Sequence, residues 1–206
     1  IDIKSQGEKL MRNNHNNCFI KQIHSNSIVF TSELNSQRIV NADGLICDNE
    51  NQNLWIYTAD CMPILFADKY QRRIAAIHCG RKGLEKNIIS NAIKNFEIKG
   101  SSRNDILVAI GPSISGKNYL LDKQTFYNFI SENNEFFCKE NENINNYESI
   151  PLDIKEYAYL QLIMEDIDPS NIDISSQCTF DLPSEFHSWR RSKNDKRQWS
   201  VISSSI

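Results

Sequence analysis

The sequence predicts an α+β fold built around a mixed β-sheet. Short runs rich in β-branched and aromatic residues outnumber the segments with helical periodicity. The intervals between these runs include both hairpin-like and crossover lengths, which is typical of a sheet with parallel and antiparallel pairs. The chain has 206 residues and neither an internal Pro/Gly/Ser linker nor a repeat, so it is long enough for one domain with a sizeable core.

Eight segments are predicted to be β-strands. Each is short and dominated by Ile, Val, Leu, Phe, Tyr or Trp, and turn-forming residues lie between them. In chain order they are Phe19–Ile23, Ile28–Thr31, Gly44–Cys47, Leu54–Thr58, Pro63–Ala67, Ile74–His78, Ile106–Ile110 and Ile172–Ser175.

Three helices stand between or after the strands. Apolar residues recur every four positions over Leu84–Phe96, which predicts an amphipathic helix. Asp122 is suited to cap a second helix. A third begins at Asp153, with Glu156 three residues later as in a capping box, and continues to about Met164.

Composition and net charge limit the classes of molecule to which this chain could bind. The net charge is −3, and no apolar run reaches the roughly 18–20 residues of a membrane-spanning helix. We therefore expect no nucleic-acid partner, no membrane association and a cytoplasmic location. The six cysteines contain no CxxC pair, so reduced thiols are expected. The Asn- and Glu-rich segment Glu132–Ser149 is predicted to be a surface excursion.

Three potential metal ligands each follow an apolar run. His24 ends "CFIKQIH", Cys61 ends "LWIYTADC" and His78 ends "RIAAIH". A strand end is fixed on one side and open on the other, so it can position a side chain and still expose it. Two imidazoles and a thiolate suit zinc, with a fourth position left for water or substrate. Taken singly, each residue is equally compatible with a surface or hydrogen-bonded histidine, or with a small buried cysteine.

Two aspartates accompany these residues. Asp60 directly precedes Cys61 and could orient a ligand or transfer a proton, but it is equally suited to cap the turn after the strand. Asp43, in "NADG", has the same two interpretations. Local sequence leaves both open.

Basic residues cluster at two places in this slightly acidic chain. Arginine presents a planar fork suited to phosphate or carboxylate, although a bare charge cluster is commonly a solvated surface. Neither a P-loop nor a dinucleotide-binding fingerprint is present. The basic residues are Arg81 and Lys82 in "CGRKG", and Arg190, Arg191, Lys196 and Arg197 in "HSWRRSKNDKRQW".

Six segments, in order along the chain, resemble the motifs of one family. "QIHSNSIV" is similar to its QVHG motif, "ADGLICD…LWIYTADCMPILFAD" to ADALVTD…TADCxPVLLAD, and "IAAIHCGRKGL" to VAAxHAGWRGL. "IGPSISGKNYLL" is similar to GPxIGPCCYEV, "LDIKEYAYLQL" to LDLxxxxxxQL, and "CTFDLPSEFHSWRRSKNDKRQWSVI" to CTxxxxxxFFSYRRDxxTGRxxxxI. This is the YfiH family, also labelled multicopper polyphenol oxidase or laccase domain, which includes YlmD-like purine nucleoside enzymes. The resemblance runs from about Lys21 to Ile202.

The resemblance implies a single three-layer α/β/α domain over residues 18–206, after a poorly matched segment at residues 1–17. It implies that His24, Cys61 and His78 match the family's zinc ligands, with copper as a less favoured metal. The C-terminal basic motif then looks like a substrate- or phosphate-contacting element, acting through Arg190, Arg191 or Arg197.

One departure from the family pattern concerns charge. The family's GWRG is "GRKG" here, so Arg81 stands at the Trp position and Lys82 at the Arg position. Lysine keeps the positive charge but lacks the bidentate fork of arginine.

The implied function is that of a zinc-dependent purine nucleoside enzyme. It would cleave adenosine, inosine or methylthioadenosine with phosphate and could also deaminate adenosine, with Cys61, Asp60 and His78 as the catalytic residues and Lys82 among the phosphate contacts. One alternative is a peptidoglycan-precursor editing amidase with Cys61 as nucleophile. Others are a copper polyphenol oxidase, which the four histidines supply poorly, and a non-catalytic binding protein. A monomer and a homodimer are both open.

Overall fold

The computed structural model describes residues 16–34, 39–48, 51–132 and 148–204. Over these residues, strands form sheets of six, three and two members. The strands are β1 Asn17–Cys18, β2 Ile28–Phe30, β3 Gly44–Ile46, β4 Asn53–Thr58, β5 Met62–Asp68, β6 Ile74–Cys79, β7 Ile106–Ile110, β8 Leu120–Asp122, β9 Ser149–Pro151, β10 Ile172–Ile174 and β11 Gln198–Ser203. The helices are α1 Arg81–Glu85, α2 Ile88–Ile98, α3 Lys123–Glu132, α4 Ile154–Met164 and α5 Trp189–Ser192.

The six-stranded sheet confirms the predicted α+β class. Its order is β10-β7-β5-β6-β3-β2. The outer pairs, β10 with β7 and β3 with β2, are parallel, whereas the inner pairs are antiparallel. The sheet is therefore mixed, as the connection lengths predict.

Strand β6 shows how the layers are arranged. Ala75 and Ile77 belong to the core that includes the apolar faces of α2 and α4. Ile74 and Ala76 point the other way, into a second core that includes Leu54 of β4. The described residues thus place a three-stranded sheet of β1, β4 and β11, rather than a second helical layer, against the face opposite the helices.

The predicted helix Leu84–Phe96 is interrupted. Asn87 adopts a left-handed conformation with φ of 56°, so α1 ends at Glu85 and α2 begins at Ile88. Asparagine tolerates this region better than most residues. The four-residue apolar spacing nevertheless places Leu84, Ile88, Ala92 and Phe96 in the core.

The predicted strand Phe19–Ile23 is wrong. Only Lys21 forms a bridge there, to Asn41, because the following N–H groups bond a carboxylate instead of a neighbouring strand. The other seven strands and the second and third helices are confirmed within one or two residues. Strands β1, β8, β9 and β11 and helix α5 were not predicted. Most of the predicted surface excursion, residues 133–147, lies outside the described residues.

No helix within the described ranges is both long and apolar enough to cross a bilayer.

Candidate functional site

The antiparallel register brings distant residues to one edge of the six-stranded sheet. β3 begins one residue after Asp43, β5 begins one residue after Cys61, and His78 is the penultimate residue of β6. Because β6 is antiparallel to both neighbours, its end lies beside their beginnings. His24 lies in the loop before β2, which is parallel to β3.

His24, Cys61 and His78 form a cluster suited to a metal ion. Their ligand atoms all lie within 4.8 Å of one another, and no other described residues make such a group. Ligands of a tetrahedral zinc ion lie about 3.5 Å apart, so a small closure completes the set. Gly80 leaves room for the Cys61 side chain, since a Cβ at position 80 would stand 2.5 Å from the Cys61 Sγ.

Asp43 holds both histidines and is fully buried. Its Oδ1 accepts the His78 Nδ1–H at 2.8 Å and the His24 backbone N–H at 2.9 Å. Its Oδ2 accepts the Ser25 N–H at 2.6 Å and the Ser25 hydroxyl at 2.7 Å. These bonds fix the turn in which His24 has a positive φ of 59°. They also leave Nε2 of His78 as the nitrogen for a metal, as outer-sphere carboxylates commonly do.

The electrostatics of the cluster favour the ligand form of the cysteine. Burial raises the pKa of the Cys61 thiol, but His78 and His24 outweigh burial and lower that pKa to about 6. Burial lowers the pKa of His78, but Cys61 and Asp43 outweigh it and raise that pKa to about 9. Burial also opposes ionisation of Asp43, yet bonds from His78 and Ser25 lower its pKa to about 2. The thiolate is the form of cysteine that binds metals.

The cluster opens into a cavity of about 530 Å³, a volume typical of small-molecule sites. The cavity collects residues from both ends of the chain. Of the predicted site residues it is lined by His24, Asp60, Cys61, His78, Lys82, Arg190 and Arg197. Its other lining residues are Gln22, Tyr57, Thr58, Ala59, Gly80, Arg81, Ile114, Tyr119, Ile154 and Trp189.

Asp60 links the group formed by His24, Cys61 and His78 to the C-terminal segment. It lies in the connection between β4 and β5 with a positive φ of 91°. Its Oδ1 accepts the Thr179 hydroxyl at 2.8 Å, and its Oδ2 accepts the Arg190 backbone N–H at 2.7 Å. A buried carboxylate with both oxygens bonded fixes the position of α5 relative to Cys61.

Besides Arg81, which pairs with Glu85, three cations line the cavity: Lys82, Arg190 and Arg197. Among the residues that the structure describes, none of them pairs with a carboxylate. The Arg190 guanidinium donates to the Leu120 carbonyl at 3.1 Å and lies 5.0 Å from the centre of the Tyr119 ring. Arg197 donates to two backbone carbonyls of its own loop. Positive charge therefore remains uncompensated at this wall.

Arg191 has different surroundings from these three cations. It does not line the cavity, and its guanidinium donates to the carbonyls of Thr179, Phe180 and Phe186, each at 2.7 Å. Two adjacent arginines thus have different surroundings, one facing the cavity and the other tying down the preceding loop.

The family match agrees with this geometry. Residues 4–205 match the family described as multi-copper polyphenol oxidoreductase laccase, which is nearly the whole chain. The protein belongs to this family, the YfiH family.

Solved YfiH-family structures have the same fold. Protein YfiH of Bacillus licheniformis superposes with a TM-score of 0.83 at 26% identity, covering 97% of this chain and 79% of the other. YlmD of Geobacillus stearothermophilus superposes with a TM-score of 0.80 at 23% identity, covering 95% and 77%.

Several relatives carry functional names, and two of them align with 89% of this chain. One is a purine nucleoside phosphorylase of Synechocystis sp., 29% identical over 89% of this chain and 78% of its own length. The other is a purine nucleoside phosphorylase of Campylobacter jejuni, 31% identical over 89% of this chain and 75% of its own length.

Not every residue of the site is predictable from the sequence. Local sequence does not distinguish a turn-forming Asp43 from one that orients a ligand or transfers a proton, because its only signal is "NADG" before a strand. Tyr119, whose pKa is raised by burial and by the nearby Cys61, was also missed. Trp189, beside the basic cluster, was also missed.

Proposed function

We propose that this protein is a zinc-dependent purine nucleoside phosphorylase. The observation that carries the proposal is the presence, in one cavity, of a three-ligand metal cluster and three cations that lack carboxylate partners within the described ranges. Relatives named purine nucleoside phosphorylase, with which this chain aligns over most of its length, support it.

His24, Cys61 and His78 would hold the metal, and the donor set fits zinc. A zinc ion with three protein ligands supplies a Lewis acid with an open coordination position. Asp43 keeps the His78 ring and the His24 turn in place, so that the ligands meet the metal without a large rearrangement.

Lys82, Arg190 and Arg197 would bind the phosphate. In phosphorolysis a phosphate oxygen forms a bond to C1′ of the ribose while the bond from C1′ to the base nitrogen breaks, and the departing base takes up a proton. Positive charge develops on the ribose in this step, so holding a phosphate dianion beside it stabilises the transition state. We leave Arg191 out of this set because its donors are used by backbone carbonyls.

Asp60 is proposed to position Arg190 rather than to transfer a proton. Both of its oxygens already accept hydrogen bonds from protein groups that stay in place, the Thr179 hydroxyl and the Arg190 N–H. Asp60 then sets the distance between the cationic wall and Cys61.

A second activity, deamination of adenosine at C6, follows from the same donor set. A three-ligand zinc site can activate water at neutral pH, which is the nucleophile that deamination needs. This activity would convert adenosine to inosine without phosphate.

The test is product analysis by chromatography. Zinc-loaded protein is incubated with adenosine and, separately, with inosine, each with and without phosphate. Adenine that forms only with phosphate supports the phosphorylase, and inosine in both adenosine reactions adds the deaminase. Unchanged adenosine and unchanged inosine would refute both, and a peptidoglycan precursor would then be tested for amide cleavage with Cys61 as nucleophile.

A further inference from the structure

Three aromatic side chains line the cavity, and two of them are occupied by protein contacts. The hydroxyl of Tyr57 accepts the Gln22 N–H at 3.2 Å, and its ring packs edge-to-face on a tryptophan at 5.2 Å. Tyr119 lies against the Arg190 guanidinium, which is 5.0 Å from its ring centre. Each of these two rings therefore already has an aromatic or cationic contact within the protein.

Trp189 differs from both. Half of its side chain, 50%, is exposed, and its indole has no ring, cation or hydrogen-bond partner within the described residues. Tryptophan has the largest apolar surface of the side chains and usually buries most of it. A half-open indole in the wall of a cavity therefore has unused contact area.

The backbone that carries this indole is held firmly. The Ser188 hydroxyl accepts the Arg191 N–H at 3.1 Å, and Asp60 accepts the Arg190 N–H at 2.7 Å. The Lys193 N–H donates to the Trp189 carbonyl at 2.8 Å. Because the backbone is fixed, only the two side-chain torsions of the indole need to be ordered when a ligand stacks on it.

We propose that Trp189 is the platform on which the base of the substrate stacks. The inference rests on the proposed function and adds a substrate-binding residue to it. The cations of the cavity suit an anion, so the open indole is left for the uncharged, planar part of the ligand. Every base has a π face, so stacking tolerates different bases. Adenosine and inosine should therefore depend on Trp189 to a similar extent.

Steady-state kinetics of variants at this position test the proposal. Loss of one base–aromatic stack corresponds to roughly a fivefold to hundredfold loss of affinity. Trp189→Ala should raise KM for adenosine and inosine by that factor and leave KM for phosphate unchanged. Trp189→Phe keeps a π face and should recover most of the loss. Tyr70→Ala, which removes an 82% exposed aromatic outside the cavity, should behave like the wild type.

Fluorescence provides a readout that does not depend on turnover. Adenosine added without phosphate should quench the tryptophan emission, and Trp189→Phe should remove that quenching although Trp55 and Trp199 remain.

The outcomes separate this inference from the proposed function. An active wild type with unchanged nucleoside KM in Trp189→Ala, or equal quenching in Trp189→Phe, would overturn the stacking role. If the wild type shows quenching but no nucleoside turnover, and Trp189→Phe loses the quenching, base binding at Trp189 is supported and the phosphorylase activity is refuted. Neither turnover nor quenching in the wild type would overturn both.

Discussion

The metal cluster and the basic wall of the cavity, formed by Lys82, Arg190 and Arg197, are built in opposite ways. At the metal cluster, a fully buried Asp43 accepts bonds from His78 and from the His24 turn. At the basic wall, the two arginines donate to backbone carbonyls and lack carboxylate partners in the described part of the chain.

This difference indicates which parts of the site are complete before a ligand arrives. The cluster has its outer hydrogen bonds in place, so its geometry is set by the fold. The wall keeps uncompensated positive charge, which an anionic ligand would neutralise. Substitutions at the cluster should therefore change metal binding, and substitutions at the wall should change the affinity for phosphate.

The largest expected effect follows from removing a ligand of the cluster. His24→Ala should lose tightly bound zinc and lower nucleoside turnover by more than about 100-fold, because two ligands do not hold zinc firmly. The measurements are zinc content by metal analysis and phosphate-dependent release of base.

His187→Ala is the matched control, since His187 is also exposed but does not line the cavity. It should keep wild-type zinc content and turnover. Equal zinc content in His24→Ala and the wild type would contradict the assignment of the cluster.

A smaller effect is expected from Asp43→Asn. The amide cannot accept all the N–H groups that the carboxylate accepts, so zinc affinity should fall about 10- to 100-fold. The free energy of unfolding should fall by roughly 1–3 kcal/mol because buried donors lose their acceptor. Competition with a chelator and thermal denaturation measure the two quantities.

Asp48→Asn separates these two consequences. Asp48 also fixes a turn, accepting the Thr31 hydroxyl and the Ser32 N–H, each at 2.9 Å, but it lies outside the cavity. This variant should lose stability and keep its zinc affinity. A parallel loss of zinc affinity in both variants would mean that Asp43 acts on the fold alone.

The smallest of the three effects compares adjacent arginines. Arg190→Ala should raise KM for phosphate about tenfold with little change in stability, because two other cations remain at the wall. Arg191→Ala should instead lower the free energy of unfolding by roughly 2–4 kcal/mol, since three carbonyls lose a charged donor. The measurements are phosphate kinetics and denaturant unfolding of both variants. A stability loss in Arg190→Ala together with a raised phosphate KM in Arg191→Ala would contradict the assignment of Arg190 to the cavity and Arg191 to the loop.

Much of this fold could be predicted because its strands are short, apolar and separated by clear turn residues. The grouping of His24, Cys61 and His78 could also be predicted, since each ends an apolar run and the family motifs contain all three. Strand β11 was missed because it alternates Trp and Val with polar residues directly after a basic loop. The break at Asn87 was missed because the apolar spacing continues across it.

The remaining features depend on tertiary contacts that local sequence does not contain. Asp43 and Asp60 are both turn-forming aspartates beside strands, and only the three-dimensional arrangement gives them different partners. Arg190 and Arg191 are chemically identical neighbours. Their roles separate because α5 is one short turn that directs one side chain into the cavity and the other to backbone carbonyls.

The most direct test of the account measures base release from adenosine in four reactions, with zinc-loaded or metal-stripped protein and with or without phosphate. We expect adenine to form only when zinc and phosphate are both present, because the proposed zinc site and the basic wall act together on the nucleoside and the phosphate. Equal adenine formation by metal-stripped protein, or adenine formation without phosphate, would contradict it.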